Sequence, residues 1–158
     1  MNDVNEKLSG LKTILHKAQA YCAYQDRCTF EVLQKLRDWG VDEERIPKIV
    51  ESLTEDKFLN DDRYTVSFVS SKFRLKHWGR IKIAYELRLK KIPSELIFSA
   101  LESIDENEYA STLQTLITRK SKEVKDTDAF RKKQKVARFL ISKGFESELV
   151  FKMMKVEK

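Results

Sequence analysis

The chain has 158 residues, a net charge of +6, and only four glycines and two prolines. A chain of this length buries about 70% of the surface that it exposes when unfolded, so a sizeable core is expected. Hydrophobic residues make up 41% of the sequence, which is too apolar for a wholly disordered chain. It contains no apolar stretch of the length that spans a membrane, and its first residues lack the pattern of a signal peptide. We therefore expect a soluble, cytoplasmic protein with no membrane partner.

The residues that catalysis or metal binding would need are sparse. Cys22 and Cys28 are not spaced as a CxxC pair, and we expect both to be reduced thiols. His16 and His77 have no ligand partner at helical spacing, which argues against a metal site. Glycine-rich phosphate loops and the nucleophile elbow are also missing. We therefore expect no enzyme activity, no metal and no cofactor.

Apolar residues recur at intervals of three and four along most of the chain, as at Leu11, Ile14, Leu15 and Ala18. This spacing is typical of amphipathic helices, and strand-like alternation is rare. We predict nine helices, at residues 5–24, 29–39, 42–55, 61–76, 79–91, 93–104, 106–122, 129–143 and 146–156.

Glycine, proline and short polar residues mark the ends of these helices. Gly40 and Gly144 lie where a helix needs a left-handed C-terminal residue, and Pro93 lies where a new helix would start. Three polar residues are predicted N-caps, namely Thr29, Asp61 and Asp105.

One pattern of apolar positions occurs three times. The segments around Val41, Ile92 and Phe145 correspond at offsets of 51 and 53 residues, and the first offset also aligns Leu36 with Leu87. We predict an all-α fold of three tandem three-helix repeats stacked into an elongated, curved array. The predicted domains are residues 1–60 (the first repeat with an N-terminal extension), 61–105 (the second, central repeat) and 106–158 (the third repeat).

Charge is distributed unevenly along the chain. Residues 1–69 carry 10 basic and 13 acidic side chains, whereas residues 70–158 carry 21 basic and 12 acidic ones. This asymmetry suggests that the second half faces a polyanion such as nucleic acid, although such residues can also simply solvate helix surfaces. The candidate binding residues are Lys72, Arg74, Lys76, Arg80, Lys82, Arg88, Arg131, Lys132, Lys133, Lys135 and Arg138.

The predicted fifth helix has a second apolar stripe. Ile81, Tyr85 and Leu89 lie about four residues apart, roughly opposite the stripe that contains Ile83 and Leu87. One interpretation buries the second stripe between repeats. The other makes it an exposed patch that docks onto a partner, with Tyr85 as the aromatic anchor.

The segment FLNDDRY, followed by KHWGRIKIAYELRLKKI, resembles the central signature of the RecX regulatory proteins. The flanking segments LQKLRDWGV and ARFLISKGFESELV are similar to the same family, so the resemblance covers roughly residues 11–154. The signature residues are Leu59, Asp62, Arg63, Tyr64, Gly79, Ile83, Glu86, Leu87 and Ile92.

This resemblance implies an all-helical regulator that binds the RecA recombinase filament on single-stranded DNA and usually inhibits it. Direct contact with single-stranded DNA is a further implication, and we expect a monomer. The basic residues above would face the DNA or the filament, and Ile81, Tyr85 and Leu89 would dock on the recombinase. Two alternatives stay open: a helix-turn-helix-like regulator that binds DNA directly, and a helical scaffold for another protein.

Most of the signature also has a structural interpretation. We expect Ile83 and Leu87 to face the core and Glu86 to pair with a lysine one helical turn away, at position 82 or 90. Arg63 is available for a salt bridge to a neighbouring repeat, and Tyr64 should be half buried.

Two positions depart from the family pattern. Lys91 stands where a glycine is usual, and Pro93 stands where a polar cap is expected. The spacing predicts a positive φ at Lys91, because Gly40 and Gly144 occupy the equivalent positions of the other repeats.

Overall fold

The computed structural model describes residues 2–156 of the chain. Across that range the regular secondary structure is helical and comprises nine helices. They are α1 (Asn2–Tyr24), α2 (Thr29–Asp38), α3 (Ile46–Glu55), α4 (Asp61–Arg74), α5 (Arg80–Leu89), α6 (Ser94–Glu102), α7 (Glu106–Glu123), α8 (Ala129–Ser142) and α9 (Ser147–Val156). None of them, over the part of the chain that is described, combines the length and the apolar character needed to cross a bilayer.

The helices form three groups of three, so the fold is an all-α tandem three-helix repeat. In the first group α1 packs on α2 and α3, and α2 packs on α3. In the third group the three helices α7, α8 and α9 all pack on one another, and in the middle group α5 packs on α6. Leu36, Leu87 and Leu140, which the repeat spacing aligns, are all fully buried.

The chain divides into two compact units. The first comprises residues 1–64 with 90–92, and the second comprises residues 65–89 with 93–158. The core of the first unit includes Leu36, Ile49 and Leu53. In the second unit the Tyr109 ring packs 5.6 Å from the Phe73 ring and 5.3 Å from the Phe145 ring, measured between centroids.

The third helix begins later than the spacing predicts. Residues 43–45 form a turn, and α3 starts at Ile46 rather than at residue 42. Pro47 then lies in the first turn of α3, where its missing N–H leaves no helical hydrogen bond unmade.

The helix C-termini follow the predicted pattern. Gly40 and Gly144 have φ values of +76° and +98°, in the left-handed region. Lys91 occupies the equivalent position after α5 with φ +58°, so the predicted positive φ is confirmed at a residue that carries a side chain.

The N-cap predictions are confirmed in one case of three. The Asp105 carboxylate accepts a hydrogen bond from the Glu108 amide at 3.1 Å. Thr29 is instead the first helical residue of α2. The Asp61 carboxylate also has a different role, because it accepts from the Thr29 amide at 2.7 Å, while Asn60 supplies the capping oxygen of α4.

Candidate functional site

Two sets of contacts occupy equivalent places in the repeats, and we call them the first and second junctions. The first junction joins the start of α2, the start of α4 and residues 90–92, all within the first unit. The second joins the start of α5, the start of α7 and the turn between α8 and α9. The first junction consists of Cys28, Thr29, Glu31, Asp61, Tyr64, Lys90 and Lys91, and the second of Gly79, Arg80, Lys82, Glu106, Tyr109, Lys143, Gly144 and Glu146.

Side-chain carboxylates organise the first junction. The first amides of α2 donate to them, Thr29 to Asp61 at 2.7 Å and Cys28 to Glu31 at 3.2 Å. The other oxygen of Glu31 pairs with the Lys90 ammonium at 3.5 Å. Burial raises the pKa of the Cys28 thiol to about 11. This thiol is therefore protonated near neutral pH, which lowers its nucleophilicity.

Backbone groups organise the second junction. The amides of Gly79 and Ile81 donate to the carbonyls of Lys143 and Gly144, at 2.8 and 2.9 Å. The Arg80 amide donates to the Tyr109 hydroxyl at 3.1 Å. The amides that begin α5 are thus bonded by the end of α8 and by α7.

Gly79, a signature residue, permits this approach. A Cβ at this position would lie 2.3 Å from the Gly144 carbonyl carbon and 2.4 Å from the Phe145 nitrogen. Because backbone atoms cannot yield as a flexible side chain can, glycine is required for the contact between α5 and the α8–α9 turn.

Arg80, a predicted nucleic-acid contact, forms ion pairs within the second junction. Its guanidinium pairs with Glu106 at 2.7 Å and with Glu146 at 2.9 Å, and it lies 3.8 Å from the Tyr109 ring centroid. The Tyr109 hydroxyl donates to Glu146. Burial, with that hydrogen bond, raises the pKa of Tyr109. The carboxylates and the ring hold the Arg80 side chain inside the junction.

Lysines surround Trp78, next to the second junction. The Lys72 and Lys82 ammoniums lie 4.9 and 4.4 Å from the Trp78 ring centroid. The Lys143 ammonium donates to the Lys76 carbonyl at 2.9 Å. Burial, followed by the positive charges of Lys82 and Lys76, lowers the pKa of Lys143. A concentrated positive surface results.

Two other predicted binding residues have acidic partners. Arg74 pairs with Glu108 at 3.3 Å, and Lys135 pairs with Asp126 at 2.9 Å. Within residues 10–155 the predicted binding residues that form no ion pair are Lys72, Lys76, Lys82, Arg88, Arg131, Lys132 and Arg138. The charges of these seven side chains are therefore not balanced by a carboxylate of that range.

The second apolar stripe of α5 is exposed. Ile81, Tyr85 and Leu89 keep 55%, 58% and 51% of their surface accessible, so the interpretation that buries them between repeats is wrong. On α6, Phe98 is 66% exposed and lines a groove of about 520 Å³ together with Arg88. The basic Arg88 and the exposed Phe98 thus line one groove.

The apolar signature residues form scaffold. Ile83 and Leu87 are fully buried, as predicted, and so is Leu59, while Ile92 is nearly so. Tyr64 is 8% exposed and thus buried, not half buried. Its hydroxyl meets the Glu31 and Cys28 side chains, and its pKa is raised mainly by burial.

The charged signature residues divide in their roles. Arg63 pairs with Asp26 of the first repeat at 3.2 Å and donates to the Lys57 carbonyl at 3.1 Å. Asp62 is exposed. The predicted pairing of Glu86 is wrong, because Lys90 pairs with Glu31 instead and Lys82 lies over the Trp78 ring.

Sequence reasoning missed several residues of the second junction and its surroundings. Trp78, Tyr109, Lys143 and Glu146 were not predicted as site residues. The repeat offsets contained a usable signal, because they align Lys143 with Lys90 and place a lysine at 82 where the first repeat has a glutamate. Residues 10–155 contain no group of three metal-ligating side chains arranged to hold an ion.

Comparisons with known proteins match all three repeats to one family. Models described as the first, second and third three-helix domains of RecX match residues 15–53, 60–101 and 106–154. The regulatory protein RecX of Prosthecochloris aestuarii is 30% identical over 144 residues, which cover 90% of this chain and 91% of that protein. The RecX of Clostridium perfringens strain 13 is 33% identical over 118 residues, 73% of this chain. This chain spans only about half the length of that relative, 55%.

Solved structures show the same fold. The crystal structure of RecX from Lactobacillus salivarius has a TM-score of 0.84 at 23% identity, covering 94% of this chain and 96% of that one. A second crystal structure, of a regulatory protein RecX, has a TM-score of 0.81 at 24% identity and covers 98% of this chain and 78% of that one. With three family domains matched in order and a relative aligned over nearly its whole length, the chain belongs to the RecX family.

Proposed function

We propose that this chain is a non-enzymatic regulator of the RecA recombinase, which binds the RecA filament on single-stranded DNA and inhibits its extension and activity. Membership of the RecX family supports this role. The observation that carries it is the α5 face, where Ile81, Tyr85 and Leu89 are all more than half exposed. Such an apolar patch, beside unpaired basic residues, is typical of a protein-binding surface.

The proposed mechanism needs shape and charge rather than chemistry. A regulator shifts the filament equilibrium only by the difference between its affinities for the filament states. Tyr85 and Leu89 would anchor the chain on the protein part of the filament. Arg88, which lies between them in sequence and forms no ion pair with any residue from 10 to 155, would favour an acidic or DNA-bearing partner.

Strand exchange tests the function. The purified chain is added to RecA on single-stranded DNA with ATP, and strand exchange and filament length are followed over time. We expect inhibition at fewer than one regulator per RecA subunit. Unchanged strand exchange, unchanged filament length and no association at saturating amounts would show the proposal to be wrong.

A double variant tests the surface. Tyr85→Ser with Leu89→Ser should weaken inhibition about tenfold or more, because buried aromatic and aliphatic anchors dominate most interfaces, and the melting temperature should not change. The matched control is Ile141→Ser with Phe151→Ser, two apolar residues that are 38% and 40% exposed on α8 and α9. Equal loss of inhibition in both variants would contradict a specific role for the α5 stripe.

Binding measurements with and without RecA distinguish the proposed function from the alternative, a regulator that binds DNA directly. A helix-turn-helix-like regulator would bind DNA without RecA as tightly as it binds the filament. We expect tight binding to the filament and weaker, strongly salt-dependent binding to DNA alone.

A further inference from the structure

A charge reversal distinguishes the two junctions. At the first junction the Lys90 ammonium pairs with Glu31 at 3.5 Å. The repeat offsets place Lys143 and Lys82 at the equivalent positions of the second junction. The attractive ion pair of the first junction is therefore replaced by two like charges at the second junction.

These like charges cannot easily separate. The Lys143 ammonium is fixed by its hydrogen bond to the Lys76 carbonyl, at 2.9 Å. At the other end, the Lys143 carbonyl accepts from the Gly79 amide at 2.8 Å. The Lys82 side chain starts close to the same turn, because a Cβ on Gly144 would lie 2.4 Å from the Cβ of Lys82.

Within the described side chains, no carboxylate pairs with the lysine cluster. Among residues 10–155, neither Lys76, Lys82 nor Lys143 forms an ion pair with a carboxylate. Burial and the charges of the other two lysines lower the pKa of Lys143, as expected for a crowded cationic site. An anion with several oxygen acceptors would relieve this repulsion.

An aromatic ring lies beside the cluster. Trp78 is partly exposed, and the Phe68 ring supports it edge-on at 6.4 Å between centroids. The Lys82 ammonium lies 4.4 Å from the centre of the Trp78 ring, so the ring and the cationic cluster are adjacent. A positive groove with an aromatic stacking surface is the arrangement that single-stranded nucleic acids favour.

We propose that Lys76, Lys82 and Lys143 bind a backbone phosphate of single-stranded DNA and that Trp78 stacks on a neighbouring base. The proposal deepens the proposed function, because it assigns a DNA contact to the regulator. Its test leaves RecA out, so that failure of the DNA site and failure of the regulatory role give different results.

The first measurement is the affinity of the whole chain for a fluorescein-labelled oligothymidine of about 20 nucleotides, a length that spans a typical single-strand site. Lys82→Glu restores the charge pair of the first junction and should weaken binding about tenfold or more at low salt, with a shallower dependence on salt. The matched control is Lys48→Glu, the same charge change at an exposed residue of α3. An equal loss in both variants would mean that net charge alone binds DNA, and would overturn the proposal.

Two further measurements keep the test decisive. Circular dichroism tests whether Lys82→Glu is folded. If it is not folded, the double variant Lys76→Gln with Lys143→Gln replaces it, with the same expected loss of affinity for oligothymidine. Oligothymidine should quench the tryptophan fluorescence of Trp39→Phe, in which Trp78 remains, and not that of Trp78→Phe. Inorganic tripolyphosphate should compete only weakly. If tripolyphosphate displaces the oligothymidine when both supply the same concentration of negative charge, the assignment to single-stranded DNA is wrong. The assignment is also wrong if oligothymidine does not quench the fluorescence of Trp78.

Discussion

The two junctions occupy equivalent places in the repeats but are built from different groups. At the first junction, the Asp61 and Glu31 carboxylates accept from the first amides of α2. At the second, carbonyls of the α8–α9 turn accept from the first amides of α5. The repeat spacing therefore sets where the helices meet, and the side chains at these positions set how closely their backbones approach.

Each junction also contains a buried tyrosine from the first turn of the next repeat. Tyr64 reaches Glu31 and Cys28, whereas Tyr109 reaches Glu146 and the Arg80 amide. Burial is the main cause of the raised pKa of both hydroxyls. The tyrosine is thus retained in both junctions while its polar partners differ.

The largest expected effect comes from adding one carbon to the second junction. Gly79→Ala would place a Cβ 2.3 Å from the Gly144 carbonyl carbon, so the α5 start and the α8–α9 turn must move apart. We expect a loss of about 3 kcal/mol in the free energy of unfolding, measured in urea, because the obstructing atoms belong to the backbone. The matched control is Gly10→Ala in α1, where no described side chain or backbone of a neighbouring element lies within 4 Å of the added Cβ. Equal stability of the two variants would contradict the close backbone contact.

The ion pairs of the second junction should be stronger than a more exposed ion pair in the first unit. The Arg80 side chain is only 20% exposed, and Arg80→Met removes the arginine that pairs with Glu106 and Glu146. We expect this change to lower the unfolding free energy by about 2 kcal/mol. Arg63→Met breaks the pair with Asp26 in the first unit, where the arginine side chain is 44% exposed, and should cost about 1 kcal/mol or less. Similar losses in the two urea titrations would show that burial does not distinguish these pairs.

The fold was predictable because the signals that specify it are local. Helical periodicity and the left-handed glycines depend on residues close in sequence, and they located all nine helices of the described range. The predicted helix cap failed where a residue distant in sequence competes for the capping side chain. Asp61 was expected to cap its own helix, but its carboxylate bonds to Thr29, 32 positions away.

The candidate site was predictable in composition but not in geometry. The sequence identified the basic runs and the second stripe of α5, but it did not show that Arg80 would be held by Glu106 and Glu146. Lys143 was overlooked because no local pattern sets it apart from other surface lysines. Its environment depends on residues 76 and 82, more than sixty positions earlier in the chain.

The third prediction concerns the turn that follows α5. Lys91 has φ +58°, a conformation that is easier for glycine than for a residue with a side chain. Lys91→Gly should raise the unfolding free energy by about 0.5–1 kcal/mol in thermal or urea unfolding. The reciprocal change, Gly144→Lys, should be strongly destabilising, because a Cβ there would lie 2.4 Å from that of Lys82. A loss of stability in Lys91→Gly would contradict the strain at this position.

The smallest effect concerns the position equivalent to Gly79 in the first junction, which is Cys28. Burial raises the pKa of this thiol from 9.0 to about 11, so the folded chain keeps its proton where the unfolded chain loses it. The stability from the neutral thiol is complete below the unfolded pKa and is lost as the pH rises through the folded pKa. Cys28→Ala should therefore cost about 1 kcal/mol near neutral pH from lost packing, and that cost should shrink by about 0.4 kcal/mol between about pH 7 and pH 9. Urea titrations of both proteins at the two pH values measure the change. The second junction has glycine at this position, so the stability cost of Gly79→Ala should not depend on pH in this way. A pH-independent cost for Cys28→Ala would mean that the thiol has the same pKa in the folded and unfolded chain.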